Sequence, residues 1–148
     1  MGSEMCIRDR DLGCGAGILA IAFIKATSGF FHGKILATDI DPDAITITRE
    51  NAAINGVSER IDTVLSEGFN DDALKGRHFD FIFANILAEP LMAMAGDISN
   101  SLSLGGHVIL SGILDEKSQK VAEHFRQSGL NIEMRPSIEG WTNLVGRK

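Results

Sequence analysis

Three short stretches of this chain combine glycine, acidic and amide residues in patterns that suit holding a ligand and acting on it. The first, Asp11-Leu12-Gly13-Cys14-Gly15-Ala16-Gly17, reads D-x-G-x-G-x-G just ahead of an apolar, helix-like run. Glycines in such a turn adopt positive φ and let a ligand approach the backbone, while the free amides at a helix start favour a carboxylate or a phosphate. Spacing decides between ligands. A dinucleotide fingerprint counted from Gly13 needs its third glycine where Ile18 stands, but Gly17 comes one residue early. That register suits a pyrophosphate turn poorly and suits better the loop that holds the methionine end of S-adenosylmethionine. A tight packing turn in some other α/β protein is the plain alternative.

The second stretch is the acid that closes Lys34–Thr38 (KILAT). A carboxylate at the carboxyl end of a second strand can accept hydrogen bonds from both hydroxyls of a ribose, the role read for Asp39. Asp41, immediately before Pro42, is better placed to cap the following helix, which leaves Asp39 for a ligand. Ile40 can lie against an adenine face. Glu67, after the third strand candidate, either contacts the adenine amino group or is an exposed turn acid.

The third stretch is Phe83-Ala84-Asn85-Ile86, where an asparagine ends the most apolar strand-like run. It either terminates a strand or faces a reacting centre. The side-chain carbonyl of Asn85, helped by the Ile86 backbone carbonyl, can accept hydrogen bonds from a substrate amine and aim that amine's lone pair at a methyl group.

The elements that must position these residues alternate between strand-like and helix-like runs, the pattern of a parallel sheet covered on both faces. The pattern predicts a helix over Ile18–Ala26, a strand over Lys34–Thr38, and a helix from Asp41-Pro42-Asp43 to about Asn55 with Gly56 as its stop. Strands follow at Ile61–Leu65 and Phe79–Ala84, then a helix from about Pro90 to Leu102 ended by a Gly105-Gly106 turn. His107–Ser111 reads as a strand and Glu116–Ser128 as a helix stopped by Gly129. Asn131–Arg135 and Trp141–Val145 read as two strands with no helix between them, which must pair antiparallel.

With 148 residues, 44% hydrophobic content and net charge −6, the chain is one ordinary domain with a real core. No apolar run reaches the roughly 18 residues of a membrane span, so a soluble protein without a membrane partner is expected. The acidic balance offers no footprint for direct nucleic-acid binding. Cys6 and Cys14 are too few for a disulfide framework, which points to reduced thiols in a cytoplasm. The four histidines show no ligand spacing, and no metal is expected. Cys14 reads as a small tolerated side chain rather than a nucleophile. Trp141 reads as core, and Lys117, Lys120, Arg147 and Lys148 as a solvated face. Residues 1–10, MGSEMCIRDR, have no strand or helix period and read as a leader: a tag, a scar or a truncation.

DLGCGAGILAIA, ATDIDPDAI, ENAAINGV, FIFANILAEPL, LSLGGHVILSGIL and the closing GWTNLVGRK resemble the catalytic domain of the ribosomal protein L11 methyltransferases (PrmA), from Asp11 to the C-terminus. The glycine motif alone would indicate only a class I methyltransferase; Asn85-Ile86-Leu87 and Leu110–Leu114 narrow the match. The resemblance implies an α/β, Rossmann-like fold with a mostly parallel seven-stranded sheet and an antiparallel C-terminal hairpin. It implies S-adenosylmethionine as cofactor, and methylation of lysine and α-amino groups of a large-subunit ribosomal protein by a cytoplasmic enzyme, expected to be a monomer. In that family the residues matching Gly13, Asp39 and Asn85 bind the cofactor or line its site. With the readings above, the cofactor set is Asp11, Gly13, Gly15, Asp39, Ile40, Glu67 and Asn85, with Asn85 also the catalytic residue.

Against that pattern, the substrate-recruiting domain, the linker and the threonine-containing loop that precede the first strand in the family have no counterpart here. The first strand is truncated, its place taken by Cys6–Arg10, and this segment is expected to pair poorly. Other readings weighed are a glutamine or small-molecule methyltransferase, an inactive cofactor-binding fragment, and a nicotinamide-dependent oxidoreductase, which the glycine register disfavours.

Overall fold

A computed structural model describes residues 7–148; residues 1–6, Cys6 among them and part of the expected leader, lie outside the described residues. Seven strands form one mixed sheet in the order β3-β2-β1-β4-β5-β7-β6. The chain divides into two compact units, Met1–Lys75 and Gly76–Lys148.

The first unit holds β1 (Ile7–Leu12), α1 (Ile18–Ala26), β2 (Lys34–Asp39), α2 (Pro42–Ile54) and β3 (Ile61–Leu65). β1 pairs parallel with β2, and β2 parallel with β3, Asp39 standing opposite Leu65. The central strand β2 is buried from Ile35 to Thr38, as a parallel strand covered on both faces should be. α2 begins as its sequence dictates: Asp41 accepts from the Asp43 amide at 2.9 Å, and Pro42 occupies a first-turn position where no N–H is needed.

β1 corrects the expectation of poor pairing. Ile7–Arg10 join Asp11 and Leu12 in a strand that runs alongside β2, with one irregularity between Ile7 and Asp9. A charged segment tolerates this position because its buried guanidinium is hydrogen-bonded. Arg10 donates to Thr38 Oγ1 at 2.9 Å and to the Gly68 carbonyl at 2.6 Å, and lies 4.3 Å from the Phe69 ring centre. Burial lowers its pKa to about 10.

The second unit holds β4 (Phe79–Asn85), α3 (Ala88–Ala93), α4 (Ala95–Ser101), β5 (Leu102–Leu114), α5 (Asp115–Gln127), β6 (Asn131–Met134) and β7 (Trp141–Arg147). β4 and β5 are parallel, whereas β7 runs antiparallel to both β5 and β6. The expected hairpin therefore forms, with its second strand inserted beside β5 and its first at the edge. Ile82, Val108, Leu110 and Leu144 of the strands and Val121 and Phe125 of α5 are all fully buried.

Three expectations are corrected here. The single helix from Pro90 to Leu102 is two short ones, broken at Met94, whose amide closes α3 on the carbonyls of Pro90 and Leu91. Pro90 sits inside the first turn of α3, and Gly96, a poor helix former, follows the break. The Gly105-Gly106 turn is instead an excursion within one long strand: Phe79 pairs with Leu102 but Phe81 with His107. A side chain at Gly106 would meet the Ser103 carbonyl at 2.8 Å. Finally, Trp141 is 49% exposed rather than core, because it opens β7 opposite the half-exposed Leu114. Within the supposed solvated face, Lys117 pairs with Glu89 at 2.6 Å and Lys148 donates to the Leu102 carbonyl at 2.9 Å.

Candidate functional site

In the first unit, the loop between β1 and α1 is held from beneath by β2: the amides of Gly13 and Cys14 both donate to the Thr38 carbonyl at 2.9 Å. Gly13, Gly15 and Gly17 all have positive φ, at 74°, 54° and 76°, which only glycine adopts cheaply. Their surroundings differ. A side chain at Gly15 would meet nothing within 4 Å, so the loop is open there, whereas one at Gly17 would press on Thr48 Cγ2 at 2.9 Å. Gly15 is therefore the position where a ligand can come against the backbone.

Asp39 is brought directly to that loop. Its Oδ2 accepts from the Gly15 amide at 2.9 Å and its Oδ1 from the Asp41 amide at 3.0 Å. Each oxygen then keeps acceptor capacity for a further donor, such as a vicinal diol. The Ser66 amide donates to the Asp39 carbonyl at 2.9 Å, which sets the chain leading to Glu67 at the same end of the sheet. Glu67 is exposed, and Ile40 is 65% exposed beside Asp39. The Ile40 side chain is therefore open to contact beside the Asp39 carboxylate, although a single exposed apolar residue does not by itself mark a site.

Asp11 is the one buried acid of this loop. Its Oδ2 accepts from the Ala20 amide at 3.3 Å, but its buried Oδ1 has no hydrogen-bond partner among the described residues. Burial raises its pKa to about 7, with the nearby charge of Asp39 adding to the effect. A buried acceptor without a donor is costly, and a cationic or N–H-bearing ligand over the loop would relieve it. Cys14 is buried against Thr48, and burial pushes its thiol up to about 11, so it is no nucleophile at neutral pH.

Two residues of this site escaped the sequence reading. Thr48 of α2 donates to the Gly15 carbonyl at 2.9 Å, and Asn51 Nδ2 to the Ala16 carbonyl at 2.9 Å. They hold the loop by two of its carbonyls, while its Gly13, Cys14 and Gly15 amides are held by the Thr38 carbonyl and by Asp39. The available signal is Thr48 itself, a polar residue in helical register with the buried Ala44, Ile45 and Ala52.

In the second unit, Asn85 ends β4 opposite Ser111 of β5 and is exposed. Its carboxamide makes no hydrogen bond among the described residues, so its oxygen is free to accept. No group of three His, Cys, Asp or Glu side chains among the described residues could hold a metal ion. None of their helices is long and apolar enough to cross a membrane.

Comparisons with known proteins bear on this geometry. The fold matches a ribosomal protein L11 methylase structure from Lactobacillus delbrueckii subsp. bulgaricus at TM-score 0.81 and 32% identity, over 99% of this chain and 73% of that one. A methyltransferase from Pyrococcus furiosus, at TM-score 0.77 and 21% identity over 95% of this chain and 74% of that one, shares the fold. Fold and glycine loop together are of the class I methyltransferase type. The model of the ribosomal protein L11 methyltransferase (PrmA) family matches residues 4–148, and the chain belongs to that family. Curated relatives of that name from Brucella suis and Geobacter sulfurreducens are each 45% identical, over 90% and 93% of this chain. Those matches cover 46% and 42% of the relatives, so the chain spans about half the length of the curated relatives it matches.

Proposed function

We propose that this chain binds S-adenosylmethionine on its glycine loop and carries the methyl-transfer step of an enzyme that modifies ribosomal protein L11, at lysine side chains and the α-amine. The observation that carries the reading is the bond from the Gly15 amide to Asp39, which fixes an open glycine turn against a carboxylate with spare acceptor capacity. Family membership supports the rest.

The residues present fit the nucleoside. Asp39 would take the ribose hydroxyls, Ile40 the adenine face and Glu67 the adenine amino group, while Gly13 and Gly15 admit the methionine end and the unpartnered Asp11 oxygen receives positive charge. When bound, S-adenosylmethionine supplies a methyl already activated by its sulfonium, so the protein's task is position and exclusion of water. A substrate lysine must first lose a proton, which at pH 7 costs about 4 to 5 kcal/mol from a reference pKa of about 10.4. The Asn85 carbonyl, with that of Ile86, accepts from the neutral amine and orients it, and no dedicated base is required. Recruitment of the ribosomal protein falls to the part of the relatives' length that this chain does not span. The protein works as a cytoplasmic monomer with no direct contact to nucleic acid or membrane.

The test is methyl transfer from S-adenosylmethionine to purified ribosomal protein L11, read by mass spectrometry at the α-amine and at each lysine. Transfer to these groups that disappears in Asn85→Ala, while S-adenosylhomocysteine still binds, supports the reading. Transfer at an undiminished rate in Asn85→Ala removes the role of Asn85, and modification confined to other groups removes the substrate class.

A further inference from the structure

β5 does not run evenly past its neighbours: its pairing with β7 slips between Leu110 and Ile113, and inside that slip lies Gly112, at φ 73°. Two separate demands meet at this residue. Its φ lies in the left-handed region, where any L side chain is strained. In addition, a Cβ built on it would overlap Asn85 Oδ1 outright, lie 3.4 Å from Asn85 Cγ and 3.8 Å from the Ile86 carbonyl oxygen. Gly105, on the same strand at φ 78°, meets only the first demand, since a side chain there would find nothing within 4 Å. The space over Gly112 is thus already taken, and what takes it is the acceptor oxygen of Asn85 together with the carbonyl that follows it in the chain.

We propose that Gly112 is a positioning residue for methyl transfer: its missing side chain is the seat of the Asn85 carbonyl oxygen and fixes where the amine acceptor stands. The inference rests on the reading of Asn85 as that acceptor. β4 delivers Asn85 only as far as its Cα, because the carboxamide makes no hydrogen bond to the described residues. With no polar partner to hold it, the side chain is located by shape, between its own strand and a neighbour that withdraws its Cβ. A methyl group at position 112 pushes the oxygen off this seat, and displacements of about 1 Å in a positioning group lower rates by as much as about a hundredfold.

The experiment compares Gly112→Ala with Gly105→Ala, which shares the backbone strain but not the collision, each alone and combined with Asn85→Ala. The readouts are the Asn85 side-chain amide resonances, the Kd for S-adenosylhomocysteine, and kcat and KM for methylation of ribosomal protein L11. Gly112→Ala should move the Asn85 resonances and lower kcat by about tenfold to a hundredfold with the Kd unchanged, whereas Gly105→Ala should move neither. In the Asn85→Ala background Gly112→Ala should lower kcat no further. If Gly112→Ala does not fold, adding Asn85→Ser, which removes the colliding oxygen, should restore Tm to that of Gly105→Ala. Unmoved Asn85 resonances, an equal loss of kcat with and without Asn85, or no restoration by Asn85→Ser would overturn the proposal. Full kcat in Asn85→Ala alone defeats instead the reading of Asn85, whatever the resonances do.

Discussion

The amide of Gly15 donates to Oδ2 of Asp39 across 2.9 Å, joining the glycine turn after β1 to the acid that ends β2. One contact thus ties two sequence motifs 24 residues apart into a single ligand-binding surface. It explains why the acid must be a carboxylate: both of its oxygens already accept a backbone N–H, and both must still be able to accept again.

Asp39→Asn should therefore be worse than a lost charge. The new amide group places N–H donors where one backbone N–H already points, and it halves the acceptors left for a ribose diol. Hydrogen bonds to charged groups are worth about 1.5 to 3 kcal/mol, so titration calorimetry with S-adenosylhomocysteine should show affinity falling by about tenfold or more. Tm without ligand should also fall by a few degrees, since one of the two backbone N–H bonds that the half-buried Asp39 accepts is lost.

Thr48 tests the buttress beneath the loop. Thr48→Val keeps the shape of a fully buried residue but removes its bond to the Gly15 carbonyl. Stability should fall by about 1 kcal/mol, visible in urea titration, and S-adenosylhomocysteine should bind several-fold more weakly. Gly17→Ala, whose methyl would press on Thr48 Cγ2 at 2.9 Å, should be partly relieved by Thr48→Ser. Strict additivity of the two substitutions would contradict this packing.

Asp11 should leave a mark on the pH dependence of stability. Its folded pKa is raised to about 7 from an ordinary 3.8, so between these values the native state holds a proton that the unfolded state has released. The contribution is fully present below about pH 4 and is lost as pH rises through about 7, amounting to at most about 4 kcal/mol. Asp11→Asn, which keeps the shape without the titration, should flatten that fall. Urea unfolding between pH 4 and 8 checks it, and parallel curves for the two proteins would contradict the burial argument.

Cys14, buried and held protonated, should resist thiol reagents at pH 8 in a Cys6→Ser background and react only as the protein unfolds. Rapid labelling of the folded chain would show that the loop opens far more readily than its hydrogen bonds to the Thr38 carbonyl imply.

Much of this molecule was legible in its sequence because local chemistry and global fold agree. Asp41-Pro42 starts α2 where a capping acid and a first-turn proline must, and Asp39, spared that duty, ends up on the glycine loop. What stayed hidden depends on contacts between distant residues. Nothing near Thr48 or Asn51 in the chain announces the carbonyls of Gly15 and Ala16, which lie more than 30 residues away. A glycine pair such as Gly105-Gly106 looks the same whether it ends a strand or lets one bulge. The charges of Arg8, Asp9 and Arg10 argue against a strand locally, and only the fold supplies Thr38 and Gly68 as partners for Arg10. Trp141 reads as core by its size, but it falls on the face of β7 that alternates outward from the buried Thr142 and Leu144.

A sulfonium nucleoside seated on the Gly13–Gly17 loop with its sugar on Asp39 should be visible in calorimetric titration of the chain with S-adenosylhomocysteine. Binding should be saturable and one-to-one, weaken sharply in Asp39→Ala and persist in Asn85→Ala, with no heat from a nicotinamide dinucleotide. Absence of binding by the folded chain, or binding that Asp39→Ala leaves untouched, would contradict this placement.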